Sequence, residues 1–326
     1  MRERGIVAVL CLLAGLGWNG TAQSPPVQPQ TPTQGGGMHG QGGGHGQPPH
    51  VVHPRGPSPF PDKLKVPKTG TSFDMGDIGG RPVVEVTING SGPYRFVLDT
   101  GATISVIDPR LTQELGLPEA KGVRDTTGHA RTLVRARELR IGDAELRGVT
   151  LSSDASVTAL FGARGPRGVL SAYSFPDHLL SIDYPARRIT IEKGKLGKAD
   201  GQTIFEYRSD DMFPTVPVRV AGTETRATVD SGSGYGLMMP TKYLKELPLS
   251  SEPVAVGQAR THAATMPVTR AAVKGAVELG KYDLGIEDVL FTDIRIGKLQ
   301  ANVGFEVLRK FVVTLDSKNR RIRFVQ

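Results

Sequence analysis

Two short stretches of the sequence decide the fold: FVLDTGA at residues 96–102 and TVDSGS at residues 228–233. In each stretch, apolar residues lead into an Asp, which is followed by a hydroxyl residue and then by Gly. An apolar strand of this kind places its Asp at a buried turn, and the Gly lets the backbone approach a partner closely. We therefore treat the two loops as equivalent positions of a duplicated structure.

The surroundings of the two loops repeat in the same order, which is the signature of an internal duplication. Before them lie VEVTING at residues 84–90 and VPVRVAG at residues 216–222, which alternate as strands do and end in turn residues. Apolar strands ending at Ser171 and Gly304 follow the two Asp residues by 72 and 74 positions. Twelve residues further on, each copy has a strand that ends in Asp, LLSID at 179–183 and VVTLD at 312–316.

This pattern predicts an all-β protein with two similar lobes, at residues 73–198 and 199–326, joined near residues 197–201. Most segments read as strands separated by Gly, Asn and Asp turns. The clearest helical candidates are residues 109–115 and 241–247, directly after the acidic loops.

The first 72 residues differ from the rest of the sequence. Residues 1–22 have the features of a signal peptide: an early basic pair, an apolar run at residues 6–16 and a small-residue cleavage site. Residues 23–72 are rich in Pro, Gly, Gln and His, and we expect them to form a disordered tether. The sequence therefore predicts a protein that is exported to the periplasm or secreted, with no stable membrane span after signal cleavage.

The charge and the histidines of the tether point to no further partner. The formal net charge is +8, but the basic residues are spread out and no nucleic-acid motif with interleaved aromatic residues is present, so we expect no nucleic-acid partner. The His spacing follows no metal-ligand pattern, and no metal site is predicted. Lys63, Lys65 and Lys68 leave two interpretations open, a basic activation segment lying over acidic residues or a solvated linker.

Two such loops facing each other across a pseudo-twofold axis would bring Asp99 and Asp230 within hydrogen-bonding distance. Like charges that close cannot both ionise easily, so the pair would share one proton. The ionised carboxyl can take a proton from water while the protonated one donates to a carbonyl oxygen. The hydroxyl groups of Thr100 and Ser231 can tie the two loops together.

The two loops differ at their fourth position, which is Ala102 in one and Ser233 in the other. Ser233 can donate a hydrogen bond to Asp230, whereas Ala102 cannot do so for Asp99. We therefore predict that Asp99 holds the shared proton.

The first loop resembles the retropepsin form of the aspartic peptidase active-site loop, and the second resembles the second loop of pepsin-like enzymes. Residues 73–326 as a whole are similar to bacterial two-lobed, single-chain retropepsin-like proteins. The resemblance implies an acid protease fold, with two retropepsin-like β-barrel lobes around a cleft that holds peptides in extended form. It also implies an aspartic endopeptidase with no cofactor, in which no dimer is required for catalysis.

The resemblance assigns roles to individual residues. Asp99 and Asp230 are the predicted catalytic pair, and the supporting loop residues are Thr100, Gly101, Ala102, Ser231, Gly232 and Ser233. The candidate flap over the substrate contains Thr127, Gly128 and His129, with residues 257–269 as its counterpart in the second lobe.

Three features depart from the family pattern. Ser171 replaces a Gly, Asn302 replaces an apolar residue, and the candidate flap lacks the Tyr typical of pepsin-like enzymes. They leave open the alternative of a catalytically weak or inactive peptide-binding module of the same fold. A serine hydrolase is disfavoured because the sequence has no Gly-x-Ser-x-Gly elbow.

Overall fold

The computed structural model describes residues 60–124, 130–207, 213–260, 265–293 and 301–326. Within these residues, 24 strands form three sheets and are accompanied by three short α-helices. The predicted all-β class is therefore confirmed. In the described part of the chain, none of the helices has the length and apolar character needed to cross a membrane.

The first sheet has nine strands, eight from the first repeat and one, Lys63–Lys65, from the segment before it. They are β1 (Lys63–Lys65), β3 (Gly76–Ile78), β4 (Arg81–Ile88), β5 (Ser91–Asp99), β6 (Ser105–Ile107), β7 (Glu119–Arg124), β8 (Ala130–Ile141), β9 (Ala144–Ser153) and β10 (Gly168–Ser171). Their central order is β9-β6-β10-β5-β4. Because β8 pairs with both β4 and β9, these strands close into a six-stranded barrel.

The second sheet also has nine strands, all from the second repeat. They are β14 (Thr215–Val220), β15 (Thr223–Val229), β16 (Leu237–Met239), β17 (Val254–Arg260), β18 (Thr265–Ala272), β19 (Val277–Leu279), β20 (Tyr282–Asp283), β21 (Asp288–Phe291) and β22 (Ala301–Val303). Their central order, β21-β16-β22-β15-β14, matches that of the first sheet. In both sheets the strand that leads to the Asp lies parallel to a later strand, β5 to β10 and β15 to β22.

The third sheet combines the closing strands of both repeats with one strand from the start of each repeat. The sequence did not predict that these strands share a sheet. Its strands are β2 (Thr71–Asp74), β11 (Leu179–Asp183), β12 (Arg188–Glu192), β13 (Ile204–Glu206), β23 (Val312–Asp316) and β24 (Arg321–Val325). Their order is β13-β24-β23-β11-β12-β2. β11 and β23 are antiparallel, and Ser181 lies opposite Thr314, its own counterpart in the repeat. The proposed lobe boundary near residues 197–201 stays a prediction.

The helices are short and follow local signals. The predicted helix after the first loop is confirmed as α1 (Pro109–Glu114), where Asp108 caps the first turn by accepting from the backbone N–H of Arg110 at 2.7 Å. The second candidate, predicted at residues 241–247, is only a 3-10 helix at Thr241–Leu244. The remaining helices are α2 (Ser156–Phe161), α3 (Phe305–Leu308) and a 3-10 turn at Ala172–Ser174.

The basic residues near the start of the described chain lie away from the acidic loops. Lys63 and Lys65 belong to the edge strand β1, which pairs only with β9 among the described strands, and both are exposed. Three strands separate β1 from β5. Residues 63–65 are therefore a paired strand, which corrects the prediction of a disordered tether at this point, and the strand does not cover the carboxylates.

Candidate active site

The structure brings the two acidic side chains together, as the repeat predicted. Asp99 ends β5 and Asp230 directly follows β15, and their exposed fractions are 0% and 1%. Each carboxyl oxygen Oδ1 accepts a hydrogen bond from the backbone N–H two residues on, at 2.6 Å from Gly101 and at 2.9 Å from Gly232. The two carboxyl groups also hydrogen-bond to each other. We refer to Asp99 and Asp230 as the carboxyl pair.

The hydroxyl residues of the two loops cross over to the opposite loop. Thr100 Oγ1 donates to the carbonyl oxygen of Val229 at 2.6 Å and accepts from the N–H of Ser231 at 3.0 Å. Ser231 Oγ in turn donates to the carbonyl oxygen of Leu98 at 2.8 Å and accepts from the N–H of Thr100 at 2.9 Å. All four bonds are buried and reciprocal, so they fix the spacing of the two loops.

The glycines of the loops are needed because the carboxyl groups approach their backbone closely. A Cβ atom at Gly101 would lie 2.7 Å from Asp230 Oδ1, and one at Gly232 would lie 2.5 Å from Asp99 Oδ2. Both distances are shorter than a carbon and an oxygen can approach without a displacement. Each loop therefore makes room for the carboxyl group of the other loop.

The surroundings of the two carboxyl groups are unequal. Burial, followed by the negative charge of Asp230, raises the pKa of Asp99 well above its usual range. Burial also raises the pKa of Asp230, but a hydrogen bond from Asn302 and the positive charge of Arg81 oppose that rise. The hydrogen bond from Asn302 and the charge of Arg81 therefore favour the ionised form of Asp230. The assignment of the shared proton to Asp99 stays a prediction.

The donor responsible for the asymmetry is not the predicted one. Asp230 Oδ2 accepts a hydrogen bond from Asn302 Nδ2 at 2.9 Å, whereas Ser233 had been expected to fill this role. The Ser233 hydroxyl instead lies beside Gly304, where a Cβ atom would come within 2.7 Å of its oxygen. The signal for Asn302 was its polarity in an otherwise apolar buried strand.

Sequence reasoning missed two further residues near the carboxyl pair. Arg81, at the start of β4, donates from Nε to the carbonyl oxygen of Gly232 at 2.7 Å. Tyr184, directly after β11, is buried, and burial followed by the charges of Asp230 and Asp99 raises its pKa. No local motif marks either residue, because each reaches the site through long-range packing.

Ser171, the departure from the family Gly, fits without disturbing its loop. Its hydroxyl donates to the carbonyl oxygen of Ala102 at 2.6 Å and accepts from the N–H of Tyr173 at 3.2 Å. In the second repeat a Cβ atom at Gly304 would lie 2.5 Å from the carbonyl oxygen of Tyr235. Ser is therefore accommodated beneath one loop, and Gly is required beneath the other.

This difference predicts opposite outcomes for reciprocal substitutions. We expect Ser171→Gly to lower the free energy of unfolding by about 1–3 kcal/mol, the usual cost of losing buried hydrogen bonds. Gly304→Ser should lower the free energy of unfolding by more, because the new side chain would collide with the backbone carbonyl of Tyr235. Urea unfolding of the two variants checks this, and a Gly304→Ser variant as stable as wild type would contradict it.

The predicted flap residues Thr127, Gly128 and His129 lie outside the described residues. Of their predicted counterpart, residues 257–269, the structure describes the two arms in β17 and β18. These arms pair antiparallel, with Ala259 opposite Met266. The flap assignment therefore stays a prediction.

Comparison with known families matches the first repeat. The family model described as aspartyl protease matches residues 84–171, from β4 to the end of β10. The match contains Asp99, while Asp230 corresponds to it through the repeated strand order and the reciprocal hydrogen bonds. No curated protein sequence matches the chain. Residues 84–171 are therefore similar to the aspartyl protease family, and this similarity supports a retropepsin-like domain and a peptidase-type function.

Proposed function

We propose that this protein is an aspartic endopeptidase in which Asp99 and Asp230 activate water for attack on a peptide bond. The observation that carries the proposal is the pair of buried, mutually hydrogen-bonded carboxyl groups on reciprocally bridged loops. A pair that shares one proton holds a general base and a general acid at the same place.

The unequal surroundings of the pair support an assignment of roles. The ionised Asp230 takes a proton from water as the water oxygen attacks the peptide carbonyl carbon. Asp99 gives its proton to the carbonyl oxygen, and a tetrahedral diol forms. Collapse of the diol breaks the carbon–nitrogen bond as Asp230 passes its proton to the leaving nitrogen. One hydroxyl of the diol returns a proton to Asp99, which leaves the new carboxyl group and restores the pair. The enzyme never becomes covalently bound to its substrate during these steps.

Cleavage of a denatured peptide library tests the proposal. Incubation in water enriched in oxygen-18 should give internal cuts in which each new carboxyl group carries one heavy oxygen from solvent. A statine-containing transition-state mimic should block these cuts. Peptides that bind without being cut would instead identify a peptide-binding module, and release of terminal residues alone would contradict the endopeptidase assignment.

We further propose that the protein is exported and acts in the periplasm or outside the cell. The basic and apolar character of residues 1–22 supports this. Fractionation of a bacterial host followed by N-terminal sequencing checks it, with a mature chain starting at residue 23 as the expected result. A full-length chain that stays in the cytoplasm would contradict it.

A further inference from the structure

The two carboxyl groups rest on unlike strand pairs. Beside Asp230, Asn302 of β22 lies opposite Thr228 of β15, and both are almost completely buried. At the equivalent place in the first repeat, Val169 lies opposite Val97, and both are fully buried in an apolar cluster. Asn302, one member of a polar pair, therefore bonds to one carboxyl group, whereas an aliphatic pair occupies the same place in the other repeat.

We infer that Asn302 is a positioning residue that decides which carboxyl group carries the shared proton, by holding Asp230 in its ionised form. The inference rests on the proposed function, since it matters only if the pair acts as acid and base. Its geometric basis is the hydrogen bond of 2.9 Å from Asn302 Nδ2 to Asp230 Oδ2. A hydrogen bond to an ionised acceptor is about twice as strong as one between neutral groups, so the amide favours the charged carboxylate.

Other ionisable groups face Asp230, and they act differently. Asp99 faces it from the first loop and supplies the shared proton. Arg81 favours the ionised form through its charge, but its Nε is bound to the carbonyl oxygen of Gly232. Tyr184 is buried and neutral, because burial and the two carboxylates raise its pKa. Removing the Asn302 amide while leaving these three groups in place should weaken the preference of Asp230 for its ionised form without abolishing it.

Asn302→Val tests the inference, because it installs the residue that the first repeat carries at Val169. We expect the acid limb of the pH profile of kcat/KM to move up by about one pH unit, the scale of one hydrogen bond to a charged group. That limb reports protonation of Asp230, which would occur at higher pH without the amide donor. The alkaline limb reports loss of the proton from Asp99 and should not move, because Asp230 is ionised on both sides of that step.

Thr228→Val is the matched control. It removes a buried polar group from the paired strand, and the replacement is close in shape to the native residue and identical to Val97 of the first repeat. We expect the pH profile of this variant to match that of wild type. An unmoved acid limb in Asn302→Val, or the same shift in Thr228→Val, would overturn the inference.

A second measurement does not depend on activity or on the fold of a variant. Titration of the Asp carboxyl carbons by NMR in carbon-13-labelled wild-type protein should show Asp230 ionising at lower pH than Asp99. If the protein cuts no peptide, the proposed function fails while this titration still tests the proton assignment. If the protein cuts peptides but Asp99 ionises first, the inference fails and the proposed function stands.

Discussion

Replacing Asp99 with Asn is expected to lower kcat by a factor on the order of 10³ or more, because general acid–base catalysis contributes about 10²–10⁴ and the pair works as a unit. The Asn side chain fills the same space but cannot deliver a proton to the substrate carbonyl oxygen. Asp230→Asn should have a similar effect through loss of the base. Cleavage of a fluorogenic peptide measures both, and near wild-type turnover in either variant would exclude the proposed mechanism.

The control for this prediction is Asp183→Asn. Asp183 ends β11 and caps a turn by accepting from the N–H of Ala186 at 2.8 Å. Its loss removes one carboxylate without touching the carboxyl pair. We expect this variant to keep the activity of wild type, so that a loss in Asp99→Asn cannot be ascribed to a general change of charge.

Stability should respond to Asp99→Asn in the opposite direction from activity. Because burial and Asp230 raise the pKa of Asp99, the folded state keeps a proton that the unfolded chain releases above pH about 4. Stability is thus lost as pH rises from the ordinary Asp pKa towards the raised one. The Asn variant escapes this loss, so it should unfold at an equal or higher temperature than wild type at neutral pH, with a smaller difference at pH about 3.

Gly232→Ala is expected to lower kcat by about 10²-fold or more, since misplacing a reacting group by about 1 Å has effects of this size. The new Cβ atom would lie 2.5 Å from Asp99 Oδ2, so the carboxyl group itself must move. Gly101→Ala should act in the same way on Asp230. Crystal structures of the variants would show the displacement of the carboxyl group, and peptide cleavage would measure the fall in kcat.

Gly236→Ala is the matched control for this loop. A Cβ atom there would meet Glu306 Cβ at 3.5 Å, which is an ordinary contact. We expect it to retain activity close to that of wild type. Equal losses of kcat in the Gly232 and Gly236 variants would show that this loop tolerates no added side chain. The fall in kcat could then not be ascribed to the contact between the new Cβ atom and Asp99.

Much of the fold could be predicted because the sequence repeats its local signals. The strands LLSID and VVTLD have the predicted bounds. Each Asp also lies at the end of a strand, as the apolar residues before it predict. Alternation of apolar and polar residues defines a strand regardless of its partner. For the same reason the sequence could not reveal that these two strands pair with each other.

The sequence predicts the two acidic residues of the site but not all of the side chains that surround them. Two matched loops identify Asp99 and Asp230, because a duplicated motif carries its geometry with it. The contact of Asn302 with Asp230 depends on the parallel pairing of β15 and β22, which the sequence does not specify. Arg81 reaches Gly232 over 151 residues of chain, and no periodic pattern records such a contact.

The pairing of β11 with β23 places Ser181 opposite Thr314, and the loops of Thr100 and Ser231 bond to each other in the same reciprocal way. Such self-matching contacts are those of two identical subunits related by a twofold axis. Here a single chain makes them, so the encounter of the two halves is intramolecular and independent of protein concentration. Dilution, which separates a site shared between subunits, therefore leaves this carboxyl pair assembled.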